Sequence, residues 1–142
     1  MESSYLSVGY NRELNAVIAS WSGYISADEA KSGFERIWEV FRYYEANYVI
    51  ADLREYEGGF GAITQWLDEE YMPKMIKIGY QACANVMPED FFMSVSLNDF
   101  QNKQSGIVPL RVFADLNTAQ TWISQLQTSK NEPTPDALRA VA

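Results

Sequence analysis

Charged, aromatic and glycine residues are concentrated directly after an apolar run that ends at Asp52. Six of them are candidate ligand- or partner-binding residues: Asp52, Arg54, Tyr56, Gly58, Gly59 and Phe60. Arg54 can donate hydrogen bonds to an anion or a carboxylate, the two rings can act as exposed contacts, and the paired glycines can serve as a hinge. Because open α/β sheets bind ligands at the carboxyl ends of their strands, we interpret residues 52–60 as a candidate binding loop.

An ordinary solvated loop, in which Arg54 pairs with Glu55 or Glu57, is the alternative interpretation of the same stretch. The Gly-Gly-Phe-Gly run at residues 58–61 lacks the Gly-Lys-Ser/Thr of a Walker A loop and the G-x-G-x-x-G spacing of a dinucleotide-binding fingerprint. We therefore expect neither nucleotide binding nor a bound cofactor.

The chain contains no histidine. That absence excludes Ser-His-Asp and Cys-His nucleophiles, histidine-ligated zinc and proton transfer by imidazole. The acidic runs at residues 68–70 and 89–90 provide paired carboxylates, but neighbours along a helix do not converge on one substrate atom. We predict no metal site and no enzymatic activity, and keep a small enzyme that uses acids, arginine and tyrosine as a third hypothesis.

The chain is rich in aromatic residues, with 4 Trp, 9 Tyr and 7 Phe among its 142 residues. Several crowd one predicted helix and its exit: Trp38, Phe41, Tyr43, Tyr44 and Tyr48. Most of these rings must form core, but Tyr43 falls off the apolar stripe of the helix. Surplus rings with polar tips are typical of an association surface or of a cleft for an apolar ligand. Tyr43 and Tyr44 are therefore two further candidate binding residues.

The elements that would position these residues begin with two strands. Residues 5–10 and 15–21 follow strand-like patterns around a short polar turn, which predicts an antiparallel hairpin. Ser26 and Glu29 have the spacing of a capping box, so a helix should begin there, after Gly23 ends the second strand. The apolar residues of that helix recur at helical spacing: Ala30, Phe34, Ile37, Trp38, Phe41 and Tyr44.

Three more strands and three more helices are predicted further along the chain. The β-branched run at 48–52 indicates a central strand, and apolar segments at 81–86 and 110–114 indicate two others. Helical patterns alternate with them: from Ile63 to a cap at Gly79 with Pro73 interrupting or kinking it, from Pro88 to Phe100, and from Ala119 to Leu126.

This order, ββαβαβαβα, predicts a single α/β domain with a mixed, mainly parallel five-stranded sheet and four helices. The hairpin would supply an antiparallel edge. Ile50 and Val112 are expected in inner strands, and Trp38 and Trp122 are expected to pack on the sheet.

Length and charge exclude several protein classes. With 142 residues the chain suits one compact domain, which we place at residues 1–127, followed by a flexible tail at residues 128–142. A formal net charge of -8 argues against binding to nucleic acid or to anionic lipid surfaces. The sequence has no transmembrane segment and no signal-peptide pattern, and its single cysteine, Cys83, lies in a pattern typical of a buried strand. We expect a cytoplasmic protein.

Three segments carry a resemblance to a known family. They are the step Trp21-Ser22-Gly23 with its capped helix, the strand at 48–52, and residues 111–115 followed by Ala119 and Trp122. On these segments, over about residues 5–127, the chain resembles the STAS/SpoIIAA-like family, in the SpoIIAA-like branch related to Sec14-type lipid-binding domains. The resemblance implies a SpoIIAA-like α/β fold.

Antagonist members of that family carry a phosphorylatable Ser or Thr just after the central strand, at the N-terminus of the next helix. The matching stretch 52–57 has no such hydroxyl, and Thr64 lies inside the helix pattern. The resemblance therefore implies an interaction module without this phosphorylation switch.

Two functions follow as hypotheses. The first is a non-catalytic signalling or regulatory module that binds protein and forms a homodimer, with Tyr43 and Tyr44 near the interface and Arg36 or Arg42 at its rim. A monomer with water-facing tyrosines is the alternative to that dimer. The second function, implied by the resemblance, is to carry or sense a lipid or other small apolar ligand in a cleft between the first two helices and the sheet.

Overall fold

The computed structural model describes residues 5–57, 61–88 and 109–131, with side chains up to residue 128. Its elements follow in chain order: β1 (Leu6–Asn11), β2 (Ala16–Tyr24), α1 (Ala27–Tyr44), β3 (Tyr48–Glu57), a 3-10 turn (Gly61–Ile63), α2 (Thr64–Trp66), a π-helical turn (Leu67–Tyr71), α3 (Met72–Lys77), β4 (Ala82–Val86), β5 (Leu110–Phe113) and α4 (Leu116–Asn131). The helix predicted after Pro88 and residues 132–142 of the predicted tail lie outside the described residues.

β1 and β2 form the predicted antiparallel hairpin. Leu6 pairs with Trp21 at one end, and Asn11 pairs with Ala16 at the other. In the turn between them, Asn15 adopts a φ of 51°. Asparagine tolerates this left-handed conformation better than most residues, so the turn sequence helps to fix the register of the hairpin.

The capping box at the start of α1 is confirmed. Ser26 Oγ accepts a hydrogen bond from the amide of Glu29 at 3.2 Å, and Glu29 Oε1 accepts one from the amide of Ser26 at 3.0 Å. α1 lies over β1 and β2, and Gly33 lies close to the sheet. A Cβ atom on Gly33 would lie 2.5 Å from Cη2 of Trp21, so glycine is needed for this close approach.

The five strands lie side by side in chain order, β1-β2-β3-β4-β5. β1 runs antiparallel to β2, and the other neighbours are parallel. Ile50 lies in β3 at the centre of the sheet, as predicted. Val112 is buried, but among the described strands it lies in an edge strand and not, as predicted, in an inner one. Each crossover moves the chain one strand further in the same direction, so β5 is an edge of the described sheet.

β3 is longer than its apolar run. Its ladder with β2 continues past Asp52 to the pair of Tyr24 with Glu57. The register shifts next to Trp21 of β2, and the extra residue of this β-bulge lies in β3. The predicted loop after Asp52 is therefore wrong over residues 53–57, because the backbone pairing offered by the long β2 outweighs the poor strand propensity of the charged residues.

Pro73 changes the helix type instead of ending the helix. It is the second residue of α3 and follows the π-helical turn. Proline has no amide hydrogen, and its ring collides with the carbonyl four residues earlier in an α-helix, so the wider turn accommodates it. Gly79 follows α3 with a φ of 105°, as expected for a C-terminal cap.

Helices cover both faces of the sheet. Over one face, residues of α1, α3 and the π-helical turn join a core cluster around Trp21, and Trp38 is half-buried against it. Over the other face, α4 contributes Trp122 and Ile123 to a second cluster that includes Ile50. Trp122 therefore packs on the sheet as predicted, whereas Trp38 packs against a cluster that contains both strand and helix residues.

Two further predictions from the sequence can be compared with the described residues. Cys83 in β4 is 6% exposed, which confirms a small core residue. α4 extends to Asn131, beyond Gln127, where we expected the domain to end. Of the helices that the structure describes, none is long and apolar enough to cross a bilayer.

Candidate functional site

The candidate binding residues lie in two regions at opposite ends of the sheet. Tyr43 and Tyr44 end α1, just before β3 begins, whereas Asp52, Arg54 and Tyr56 lie toward the carboxyl end of β3. A strand rises by about 3.3 Å per residue, so the length of β3 separates the two regions by roughly 20 Å. Gly58, Gly59 and Phe60 lie outside the described residues. We call Asp52, Arg54 and Tyr56 the β3 end.

Asp52 and Arg54 form a bidentate ion pair at the β3 end. Arg54 Nε donates to Asp52 Oδ1 at 3.0 Å, and Arg54 Nη2 donates to Asp52 Oδ2 at 2.8 Å. The backbone amide of Arg54 donates to Oδ1 as well, at 3.2 Å. The pairing of Arg54 with Glu55 or Glu57, the alternative drawn from the sequence, is therefore wrong, because residues two apart in a strand share a face and place Asp52 within reach.

This pair sets the electrostatics of the β3 end. The hydrogen bonds from Arg54 lower the pKa of Asp52, and the same bonds raise the pKa of Arg54. The carboxylates of Glu55 and Asp115 act on Arg54 in the same direction. An incoming anion would have to displace Asp52 and enter a region that carries two more negative charges.

Tyr56 is not the exposed contact ring that the loop interpretation predicts. It is half-buried against the core cluster around Trp21, with its ring edge-on to the indole at 6.4 Å. Burial raises the pKa of its hydroxyl. Because β3 continues through this position as a strand, the ring points into the core instead of into a loop.

Tyr10, Tyr43 and Tyr44 form an aromatic cluster, which we call the tyrosine surface. The rings of Tyr10 and Tyr44 lie 4.2 Å apart and nearly parallel, at 6°. Tyr43 stands edge-on to Tyr44 at 4.9 Å. Tyr43 is 79% exposed and Tyr44 is 46% exposed, so these rings face outward from the C-terminal end of α1.

Hydrogen bonds hold Tyr10 in place. Its hydroxyl donates to Asn15 Oδ1 at 2.5 Å, and Asn15 Nδ2 donates to Asn47 Oδ1 at 2.9 Å. Asn47 Nδ2 in turn donates to the carbonyl of Gly79 at 2.9 Å. The network joins the hairpin turn, the start of β3 and the end of α3. Neither Tyr10 nor Asn15 is marked as a site residue by its pattern in the sequence, and only their proximity to the α1 terminus in the fold identifies them.

The tyrosine surface borders an open depression of about 700 Å³ between residues 8–10 of β1 and the outer residues of α1 from Trp38 to Tyr44. Trp38 lies at one side of it, with the Arg42 guanidinium 4.8 Å and the Lys74 ammonium 4.4 Å from its ring centroid. Such cation–π contacts hold long side chains in place beside the rings.

Aromatic side chains fill the space between α1 and the second helical segment. Phe34 of α1 contacts Tyr71 at 4.9 Å and Trp66 at 6.4 Å, and the rings of Trp66 and Tyr71 lie 5.7 Å apart. The cleft expected here for an apolar ligand is occupied by these rings.

The described residues bring together no group of three or more Cys, Asp and Glu side chains that could hold a metal ion. Burial raises the pKa of the Cys83 thiol to about 11, so the thiol is protonated at neutral pH and is a weak nucleophile. Burial also raises the pKa values of Tyr71 and Tyr80 well above their ordinary range.

Thr64 lies at the beginning of a helix, not inside one. It is the first residue of α2, follows the 3-10 turn, and is exposed. The expectation that it lies within a helix is wrong because the residues before it form a 3-10 turn, which sequence periodicity does not distinguish from an α-helix.

Comparison with known proteins supports the architecture. The chain matches no protein-family model, and no curated protein matches it significantly. It is similar to the crystal structure of an uncharacterized protein of the DUF3478 family from Shewanella loihica PV-4, which is described as having a SpoIIAA-like fold. The TM-score is 0.56 at 14% sequence identity, over 87% of this chain and 98% of that one.

The chain has a SpoIIAA-like fold. This confirms the architecture that the sequence resemblance implies. At 14% identity the likeness transfers no residue role from the Shewanella protein, whose own function is uncharacterized.

Proposed function

We propose that the protein is a non-catalytic protein-interaction module that binds through its tyrosine surface and forms a homodimer there. The observation that carries the proposal is the exposure of a preformed ring cluster: Tyr43 is 79% exposed while its neighbour Tyr44 stacks on Tyr10. Tyrosine supplies a large apolar contact area together with a polar tip, and it is enriched where protein surfaces meet.

The rigidity of the cluster supports the proposal. Binding usually costs conformational entropy at each side chain that becomes ordered. Tyr10 is held by stacking and by its hydrogen bond to Asn15, and Tyr44 is held by the rings on both of its sides. A partner would therefore meet rings that are already ordered, so less entropy is lost on association.

The β3 end supports an interaction role less well. Asp52 and Arg54 satisfy each other, and Tyr56 is half-buried. A partner that used Arg54 would have to replace an existing bidentate contact. We therefore propose the tyrosine surface as the principal contact, with Arg42 at its rim.

Light scattering on the purified protein and two matched variants tests the proposal. Wild type should have twice the 16.2 kDa subunit mass at tens of micromolar. Tyr43→Ser should shift the equilibrium toward monomer. Tyr24→Ser removes an equally exposed ring, 81% against 79%, at the far end of β2, and should leave the dimer intact. A wild-type mass near 16.2 kDa would overturn the homodimer.

Carriage of an apolar ligand receives no support from the described residues, since Phe34, Trp66 and Tyr71 fill the proposed cleft. Native mass spectrometry of freshly purified protein tests this alternative in the same experiment that reports subunit number. A retained adduct of lipid mass would favour the carrier. The cytoplasmic location is a prediction from the sequence alone.

A further inference from the structure

The chain continues beyond α4 with residues 132–142, which we call the terminal segment. Its two large apolar residues, Leu138 and Val141, are three positions apart, and its one base, Arg139, lies between them. Apolar groups gain free energy when they leave water, so these two side chains favour contact with an apolar surface that the chain can reach.

The terminal segment begins at the end of the sheet where the tyrosine surface lies. α1 connects β2 to β3, so its last residues lie beside the amino end of β3. α4 follows β5 and packs back over β4 and β3. Its residue Leu126 packs on the cluster that contains Ala16 and Tyr48, the first residues of β2 and β3. α1 and α4 therefore end at the same edge of the domain, on opposite faces of the sheet.

We propose that Leu138 and Val141 dock in the depression between β1 and α1 of their own chain. The apolar part of that depression includes Tyr10, Val40 and Tyr44, and each of these three side chains leaves part of its area exposed. The proposal rests on the proposed function in one respect: the docked segment covers rings that the homodimer uses, so it limits dimerisation.

The terminal segment is long enough to reach the depression. α1 and α4 each lie about 10 Å from the sheet and are offset sideways by about two strands, so their ends are roughly 20–25 Å apart. An extended chain covers about 3.3 Å per residue, so Leu138 can lie up to roughly 23 Å from Asn131, and Val141 up to roughly 33 Å. The apolar part of the segment is therefore the part that spans this separation.

Charge favours the same contact. Glu39 lines the depression and is exposed. Neither ion pair of the described residues involves Glu39. Arg139 would bring a positive charge to this carboxylate while its apolar neighbours pack beside the rings.

Attachment to α4 makes the contact intramolecular. A short connection holds the segment near the depression at an effective concentration in the millimolar range, so a few apolar contacts suffice. A second chain at tens of micromolar has to displace the segment from Tyr10 and Tyr44 before it can pack there. Tyr43 lies on the outer side of α1 and keeps its ring exposed.

A spin label at residue 142 tests the contact in dilute, monomeric protein. Cys83 is 6% exposed and its thiol is protonated at neutral pH, so a nitroxide reagent should react with Ala142→Cys alone. The amide NMR signals of Tyr10 and Tyr44 should be strongly broadened. The signal of Tyr24, at the far end of β2, should keep its intensity.

Two double variants of the full chain provide the matched comparison. Leu138→Ser with Val141→Ser, the docking variant, should abolish the broadening and tighten the homodimer by about tenfold in analytical ultracentrifugation. Ala137→Ser with Ala140→Ser, the control variant, adds the same two hydroxyls but keeps both large apolar side chains, so it should behave like wild type.

The outcomes separate the docking from the homodimer. Unbroadened signals of Tyr10 and Tyr44, or equal broadening in both variants, would overturn the docking and leave the proposed function standing. Broadening in a mixture of spin-labelled chains with separately isotope-labelled chains would place the segment on a second copy and overturn docking within one chain. Broadening that only the docking variant abolishes, in a protein whose wild type and docking variant are both monomeric, would confirm the docking and overturn the homodimer.

Discussion

The β3 end and the tyrosine surface both contain residues suited to binding, yet they differ in how far their binding capacity is already used. At the β3 end, Arg54 holds Asp52 through two side-chain hydrogen bonds, and Tyr56 packs on Trp21. At the tyrosine surface, Tyr43 and Tyr44 leave 79% and 46% of their areas exposed. Residue type is therefore a weaker guide to a binding surface than the contacts that each side chain already makes.

The difference arises from the elements that carry the two regions. β3 lies between two strands, so its residues acquire partners on both sides and in the core beneath. α1 covers one face of the sheet, and Tyr43 lies off the buried stripe of the helix that contains Ile37 and Phe41, so its ring faces outward. A ring on the outer face of a helix can be covered only by another molecule, by another segment of the chain or by water.

Removal of a ring should have the largest effect in the core. Trp122→Ala should lower the free energy of unfolding by about 3–5 kcal/mol, because a large buried side chain is replaced by a cavity. In the monomer, at protein concentrations too low for dimerisation, Tyr43→Ala should change it by about 0.5 kcal/mol or less, since the ring is then exposed. Urea denaturation measures both. An unchanged midpoint for Trp122→Ala would contradict its assignment to the core.

The packing of α1 near the β3 end can be tested at a glycine. Gly33→Ala should cost about 1–3 kcal/mol, because the new Cβ would lie 2.5 Å from the Trp21 ring that supports Tyr56. Gly9→Ala, at a position with nothing within 4 Å, is the matched control and should have little effect. Equal stability of the two variants would show that α1 does not approach the sheet this closely.

The ion pair at the β3 end should make a small contribution that depends on pH. Asp52 has a lowered pKa in the folded protein, so it stabilises the fold above its ordinary value of 3.8 and loses this contribution as pH falls through the folded value. Arg54 is 42% exposed, which keeps the contribution to about 0.5 kcal/mol.

Asp52→Asn and Arg54→Gln should therefore destabilise the protein similarly at pH 7 and lose that effect in strong acid. Urea denaturation at both pH values, with the double variant to complete the cycle, measures the coupling. Additive effects of the two single variants at pH 7 would show that the pair does not contribute to stability.

A serine/threonine kinase should not be able to modify the β3 end. Residues 52–60 contain no serine or threonine, so a serine/threonine kinase that acts on antagonist proteins should leave this stretch unmodified in peptide mass spectra. Phosphate mapped to Thr64 would contradict the absence of a switch, because Thr64 is exposed at the first position of α2.

Local patterns in the sequence determined most of the architecture. The capping box at Ser26, the hairpin turn around Asn15 and the β-branched run of β3 each involve residues close together in the chain. Their physical signals are local hydrogen bonds and the burial period of a strand or helix, which need no information from distant segments. The positions of the strands and of α1 could therefore be predicted.

The tertiary structure alone decided how far β3 continues and which candidate residues remain available. The bulge opposite Trp21 depends on pairing with β2, and the stack of Tyr10 on Tyr44 joins a strand to a helix end that is distant in sequence. Neither contact produces a periodic signal, because each depends on which surfaces meet after the chain has folded. For this reason the sequence identified Tyr43 and Tyr44 as surplus rings but could not identify Tyr10 as the residue on which Tyr44 stacks.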